Sequence, residues 1–181
     1  MCANCWRKKM ASLSNLSELA RNFGRKASDL TTVTRDTADA VKAVLKSKDN
    51  DDVIRLHSLW LKGRNILKFA AKDIDDFLNW LDTDATELMK SREHVATKYE
   101  FQSAIDKVEA IAKQTYMTEG IMRDVVKSAE DLVDGKGKPQ LVVQAMRSLT
   151  RRTQEYVLRT KQLNKLIVST ANSIVKAHME D

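Results

Sequence analysis

The sequence predicts an all-α protein: an elongated, antiparallel four-helix bundle of up-down-up-down type with coiled-coil-like packing. Three observations lead there. Five glycines and one proline in 181 residues leave few places where a regular element must break. Apolar residues recur every three or four positions almost throughout, the period of amphipathic helices. The breaks that do occur are short, and short connections between long helices force antiparallel neighbours.

The first helix is expected over about 13–47. Its stripe is Leu13, Leu16, Leu19, Phe23, Ala27, Leu30, Val33, Thr37, Val41 and Val44. It ends at "SKDNDD", where Asn50 and the aspartates form a turn and then an acidic first turn for the next helix. The second helix, about 52–82, carries Leu56, Leu59/Trp60, Gly63, Ile66/Leu67, Ala70, Ile74, Phe77 and Leu81. Trp60, Phe77 and Trp80 are read as core or core rim, and Gly63 and Ala70 as small residues that let helices approach.

Asp84 and Glu87 in "LDTDATE" fit a capping box that opens a third helix over about 85–133. Its stripe runs through Leu88, Val95, Tyr99, Ile105, Val108, Ala112, Tyr116, Met122, Val126, Ala129 and Leu132, and Gly120 is the place where it could divide. In "DGKGKPQ", Gly135 suits a left-handed helix end and Pro139 a first helical turn. The fourth helix, about 139–179, carries Val142, Met146, Leu149, Tyr156, Leu163, Ile167, Ala171 and Ile174. Residues 12–181 thus form one bundle domain behind a flexible basic tail, 1–11.

Charge is unevenly spread. Residues 1–48 hold ten Lys/Arg against four Asp/Glu, residues 49–135 twelve against eighteen, and residues 136–181 nine against three. The first and last helices of such a bundle are neighbours, so one side should be cationic and the other anionic. In the fourth helix Arg147, Arg151, Arg152, Arg159, Lys161 and Lys165 lie off the apolar stripe. Two readings suit them: a solvated face balanced by the acidic helices, or a docking face for anionic lipid or an acidic partner. Nucleic acid is less favoured, because no motif enters a groove and the tyrosines sit on or beside the stripes.

Signatures of chemistry are sparse. The residues three before His57, His94 and His178 are Ile54, Ser91 and Val175, so the Glu-x-x-His pairs of a di-iron bundle are absent. "DGKGKPQ" has the wrong spacing for a phosphate loop. Asp73, Asp75 and Asp76 spread over an arc of helix, where calcium needs a loop. Strictly apolar runs stop at three residues, far short of the roughly 20 that span a bilayer. No enzyme activity, cofactor or metal is expected.

The opening "MCANCWRKKM" admits several readings. Cys2 and Cys5 are half of a zinc set with no second half, and a redox pair lacks the strand it needs. A plain disordered start competes with reversible S-acylation of Cys2 and Cys5. In the second case Trp6, Arg7, Lys8 and Lys9 would supply the interfacial and basic second signal. Over about ten residues this start resembles the twin-cysteine-plus-basic amino terminus of neuromodulin-type growth-cone proteins, a resemblance that implies membrane attachment.

The expected function is therefore a non-enzymatic helical-bundle interaction or adaptor protein, cytoplasmic and peripheral to the cytosolic face of a membrane. Lipidation candidates are Cys2 and Cys5. Contacts with an anionic surface would come from Trp6, Arg7, Lys8, Lys9 and the six cations of the fourth helix. Protein partners, an anionic membrane or a second copy of the chain are the expected partners. A membrane-permeabilising bundle and a soluble self-assembling scaffold are the alternatives.

Overall fold

A computed structural model describes residues 3–80 and 95–179. They form four helices: α1 (Ala3–Ser47), α2 (Asn50–Trp80), α3 (Val95–Val133) and α4 (Pro139–Met179). There is no strand among the described residues. α1 packs between α2 and α4, α3 does the same on the opposite side, and α1 meets α3 only weakly across the diagonal. That is the neighbour pattern of a four-helix bundle.

Contacts between partners far apart in sequence fix the direction. Lys26 meets Asp73 and Thr34 meets Thr153, while His57 meets Glu130 and Arg64 meets Glu119. Ser47 also bonds Asp52 and Gly24 faces Asn164, so from α1 to α2, from α1 to α4 and from α2 to α3 one number rises as the other falls, and these neighbours are antiparallel. α4 alone has 41 residues, about 60 Å at 1.5 Å per residue.

The breaks follow local chemistry. After α1, Lys48 takes a left-handed conformation (φ 52°), and the Asp49 carboxylate accepts a hydrogen bond from the Asp51 amide (3.0 Å). Asp51 and Asp52 then place negative charge at the positive end of α2. At the end of α3, Gly135 has φ 74°, and the Lys136 and Gly137 amides both donate to the Asp131 carbonyl (2.8 and 2.7 Å). A Cβ on Gly137 would lie 2.8 Å from the Leu132 amide nitrogen, so the turn closes only over glycine. Pro139 opens α4 where its missing N–H is no loss.

One boundary differs from the expectation. Helical backbone reaches back to Ala3, into the stretch read as a tail, because residues 3–13 contain no glycine or proline and include good helix formers. α3 runs unbroken through Gly120. The Asp84 capping box, His94 and Leu88 lie outside the described residues.

The core follows the predicted stripes closely in α1, α2 and α4. Phe23, Leu30, Val33, Leu56, Leu67, Phe77, Leu149, Tyr156 and Leu163 are all almost fully buried. Phe77 stacks on Trp80 (6.1 Å between centroids, 15°), whereas Trp60 is half-buried at the rim. Gly63 is needed where it stands: a Cβ there would clash with the Met122 methyl and lie 2.7 Å from its sulfur.

α3 departs from the apolar pattern. Tyr116, expected on the buried stripe, is 82% exposed. Gln114, Thr115 and Thr118 are buried in its place. The helix keeps turning about 100° per residue whatever its composition. The buried line therefore runs through polar residues that a search for apolar side chains steps over.

Candidate functional site

The fourth helix turns a narrow line inward: Val142, Met146, Leu149, Thr153, Tyr156, Thr160, Leu163 and Ile167. Its six cations fall off that line but not together. At about 100° per residue, Arg147, Arg151, Lys161 and Lys165 occupy the outer side that leans towards α1. Arg152 and Arg159 lean towards α3 and are half-buried. On α1, Arg35 and Lys42 occupy the lip that faces α4, and the antiparallel register puts Arg35 close to the level of Arg151. The sequence-predicted face is thus real for four of the six residues, and α1 adds two more.

The acids on this face are already engaged. Lys42 donates to Asp39 (2.9 Å) and holds its carboxyl below the usual carboxylate range. Glu155 receives Arg152 (3.0 Å) and Arg151 (3.4 Å). Among the described residues, Arg147, Lys161 and Lys165 have no carboxylate within 4.0 Å. Between the two helices lies a groove of about 440 Å³, floored by Thr34 and Thr153, whose hydroxyls bond each other (2.8 Å).

The opposite side does not mirror this one. Over Asn50–Trp80, α2 carries five cations and five acids, so it is balanced. Arg64 pairs with Glu119 (3.2 Å) and lies over the Trp60 ring (5.9 Å). Over Val95–Val133, α3 carries five cations and seven acids, so the expected anionic side is only weakly so among the described residues. Asp49, Asp51 and Asp52 sit at the α1–α2 turn, and Glu130, Asp131 and Asp134 at the α3–α4 loop. The antiparallel arrangement brings these two connections to the same end, where His57 also meets Glu130 (2.6 Å). An equal number of cations stands there (Lys46, Lys48, Arg55, Lys127, Lys136 and Lys138), so that end is electrically balanced.

Midway along the bundle is a buried polar layer to which every helix contributes. Lys26 of α1 forms an ion pair with Asp73 of α2, their side chains only 13% and 10% exposed, and Lys26 also donates to the Phe69 carbonyl (2.9 Å). Tyr156 of α4 is fully buried. Burial pushes its pKa up to about 12 and the Asp73 charge adds to that, while the Thr160 and Thr115 hydroxyls pull the other way. The oxygens of Tyr156, Thr160, Asn164 and Gln114 have no well-formed hydrogen bond within the protein. A neutral buried phenol beside a tied-up carboxylate supplies neither a general base nor a nucleophile, and this layer acts on packing and register.

Other predicted residues are placed as follows. Cys2 lies outside the described residues. So do the side chains of Cys5, Trp6, Arg7, Lys8 and Lys9, whose backbone belongs to α1. Among the described residues no group of three or more His, Cys, Asp or Glu side chains is arranged to hold a metal ion. No described helix is long and apolar enough to cross a membrane. No family model, curated protein or solved structure matches the chain.

Proposed function

We propose that this chain is a non-enzymatic interaction module that works at an anionic membrane surface through its α1/α4 side. One observation carries the reading: α1 and α4 are neighbours, and Arg147, Lys161 and Lys165 stand on their shared outer side without carboxylate partners among the described residues. Arg147 to Lys165 spans about 27 Å of helix, a length that lies flat against a surface. Each such cation near an anionic leaflet contributes about 1 kcal/mol. Three of them supply roughly 3 kcal/mol, a little over a hundredfold in partitioning.

That attraction alone gives reversible contact. Acylation of Cys2 or Cys5 would supply the second signal that stable peripheral binding requires. α1 leads from the cysteine-bearing start directly into this side of the bundle.

Flotation with phosphatidylserine-containing and phosphatidylcholine-only liposomes tests the reading, using protein from cells able to acylate it. Wild type is expected to float with the anionic vesicles. Arg147→Glu/Lys161→Glu/Lys165→Glu and Cys2→Ser/Cys5→Ser should each float less. Recovery of all three in the soluble fraction with both lipids would end the proposal. One other reading is a scaffold in which charged sides of successive copies meet. Oligomers that dissolve on raising salt, seen by light scattering, would support it. Release of dye trapped in the liposomes would instead mark a permeabilising bundle.

A further inference from the structure

The groove between α1 and α4 is lined largely by threonines, yet it is apolar. Thr31 donates to the Ala27 carbonyl (2.9 Å), Thr150 to the Met146 carbonyl (3.0 Å), and Thr34 and Thr153 bond each other. With all four hydroxyls engaged, Thr31 and Thr150 by their own helix and Thr34 and Thr153 by each other, the groove is left mainly with carbon to present. Ala38, Val157 and the 57%-exposed Leu158 complete an aliphatic trough. The polar groups remaining at its edge are the Gln154 amide and two cations, Arg35 and Lys161.

The two cations mark opposite ends. Arg35 lies near the level of Thr153, while Lys161 lies two turns further along α4. Arg35 has an acidic neighbour in Asp36 (3.8 Å), but among the described residues Lys161 has no carboxylate within 4.0 Å, nor has Lys165 one turn beyond it. A hydrocarbon trough that ends at two unpaired ammonium groups matches a molecule with an aliphatic chain and one anionic head.

Size selects among occupants. About 440 Å³ falls within the roughly 300–1,000 Å³ of small-molecule sites. Ten residues line it, against the roughly 20–30 a side of a stable protein interface. We infer that the α1/α4 groove binds one single-chain anionic amphiphile, a fatty acid or a lysophospholipid, with its chain along the trough and its head at Lys161 and Lys165. This rests on the reading of the α1/α4 side as the one that meets lipid, and gives that side a site for an individual lipid molecule.

The test uses the full-length chain and dansyl-undecanoic acid, a fluorescent single-chain probe, kept below the concentration at which it self-associates. Saturable one-to-one binding is expected. Lauric acid or lysophosphatidic acid should displace the probe, and the better competitor of the two identifies the source. Lysophosphatidylcholine and inorganic phosphate should not displace it. Ala38→Phe, which fills the trough, should weaken binding by at least about tenfold while phosphatidylserine flotation is retained. Leu158→Asp, at an exposed position that leaves the core intact, should do the same to probe binding.

Absence of saturable binding, or unchanged affinity in both variants, would overturn the inference. Displacement by an acidic amphipathic peptide but not by lauric acid would also overturn it. If flotation persists in any of those cases, the membrane reading stands alone. Retained probe binding with no flotation would instead remove the membrane reading and leave a carrier of single amphiphiles.

Discussion

Asp73→Ala leaves the Lys26 ammonium almost buried without its counter-ion. Removing one partner of a buried ion pair costs about 3–5 kcal/mol, because the remaining charge is stranded in a poor solvent. Two features place this case at the lower end. The pair keeps 13% and 10% side-chain exposure, and Lys26 retains its hydrogen bond to the Phe69 carbonyl. The expected loss is therefore about 3 kcal/mol, a large part of the ~5–15 kcal/mol that holds a typical domain together. For a domain of this size, a lowering of the melting temperature by roughly 6–12 °C follows.

The double variant Lys26→Met/Asp73→Leu removes both charges and keeps similar volume, so it should return to within about 1 kcal/mol of wild type or exceed it. Urea unfolding followed by far-ultraviolet circular dichroism, applied to wild type, Lys26→Met, Asp73→Leu and the double variant, yields all four corners of the double-mutant cycle. A loss below about 1 kcal/mol in Asp73→Ala, the scale of an exposed pair, would refute the burial reasoning. So would a double variant as unstable as the two single changes added together, since that would mean the layer needs these groups for more than each other.

Two glycines should respond to alanine with opposite signs. Gly120→Ala has open space around the new methyl and should stabilise by about 1 kcal/mol through helix propensity. Gly63→Ala meets Met122 and Val33 and should destabilise by about 1–2 kcal/mol after that same gain is subtracted; thermal melts of the two variants decide. Tyr156 holds its proton up to about pH 12 when folded against about 10 when unfolded. Its contribution is therefore full below pH 10 and is lost as pH rises from about 10 to 12, by roughly 2–3 kcal/mol. Tyr156→Phe should flatten that alkaline limb in unfolding titrations, and at neutral pH should be close to neutral or stabilising because it deletes a hydroxyl without a well-formed bond. An intact mass of the native protein should show acyl mass on Cys2 or Cys5, and a mass equal to the bare chain would remove the anchor from the proposal.

How much of this was legible beforehand varies along the chain. The fourth helix was readable from Pro139 to Met179, because Val142, Met146, Leu149, Tyr156, Leu163 and Ile167 keep the helical period across the buried Thr153 and Thr160. The turn at Gly135 was readable because only glycine enters that conformation at no cost. Tyr116 was misplaced because the buried line of α3 passes through Gln114, Thr115 and Thr118. No apolar pattern marks such a line, although Thr115 and Thr118 satisfy their hydroxyls on carbonyls of their own helix (2.9 and 2.7 Å).

The candidate site divides in the same way. That the first and last helices are basic is a count of residues, and their adjacency follows from short connections. The direction in which each cation leans does not follow from counting. The inward line of α4 divides Arg147, Arg151, Lys161 and Lys165 from Arg152 and Arg159. The register with α1 then adds Arg35 and Lys42 to the first group.

The stripes, the caps and the charge of each segment belong to the sequence by itself, because each depends on residues within a turn or two of one another. Tertiary structure alone decided that Thr34 and Thr153 bond each other across the α1/α4 seam. It also decided that Lys26 finds Asp73. Those outcomes depend on which residues of other helices come level with them, and that is set by the antiparallel register of the whole bundle.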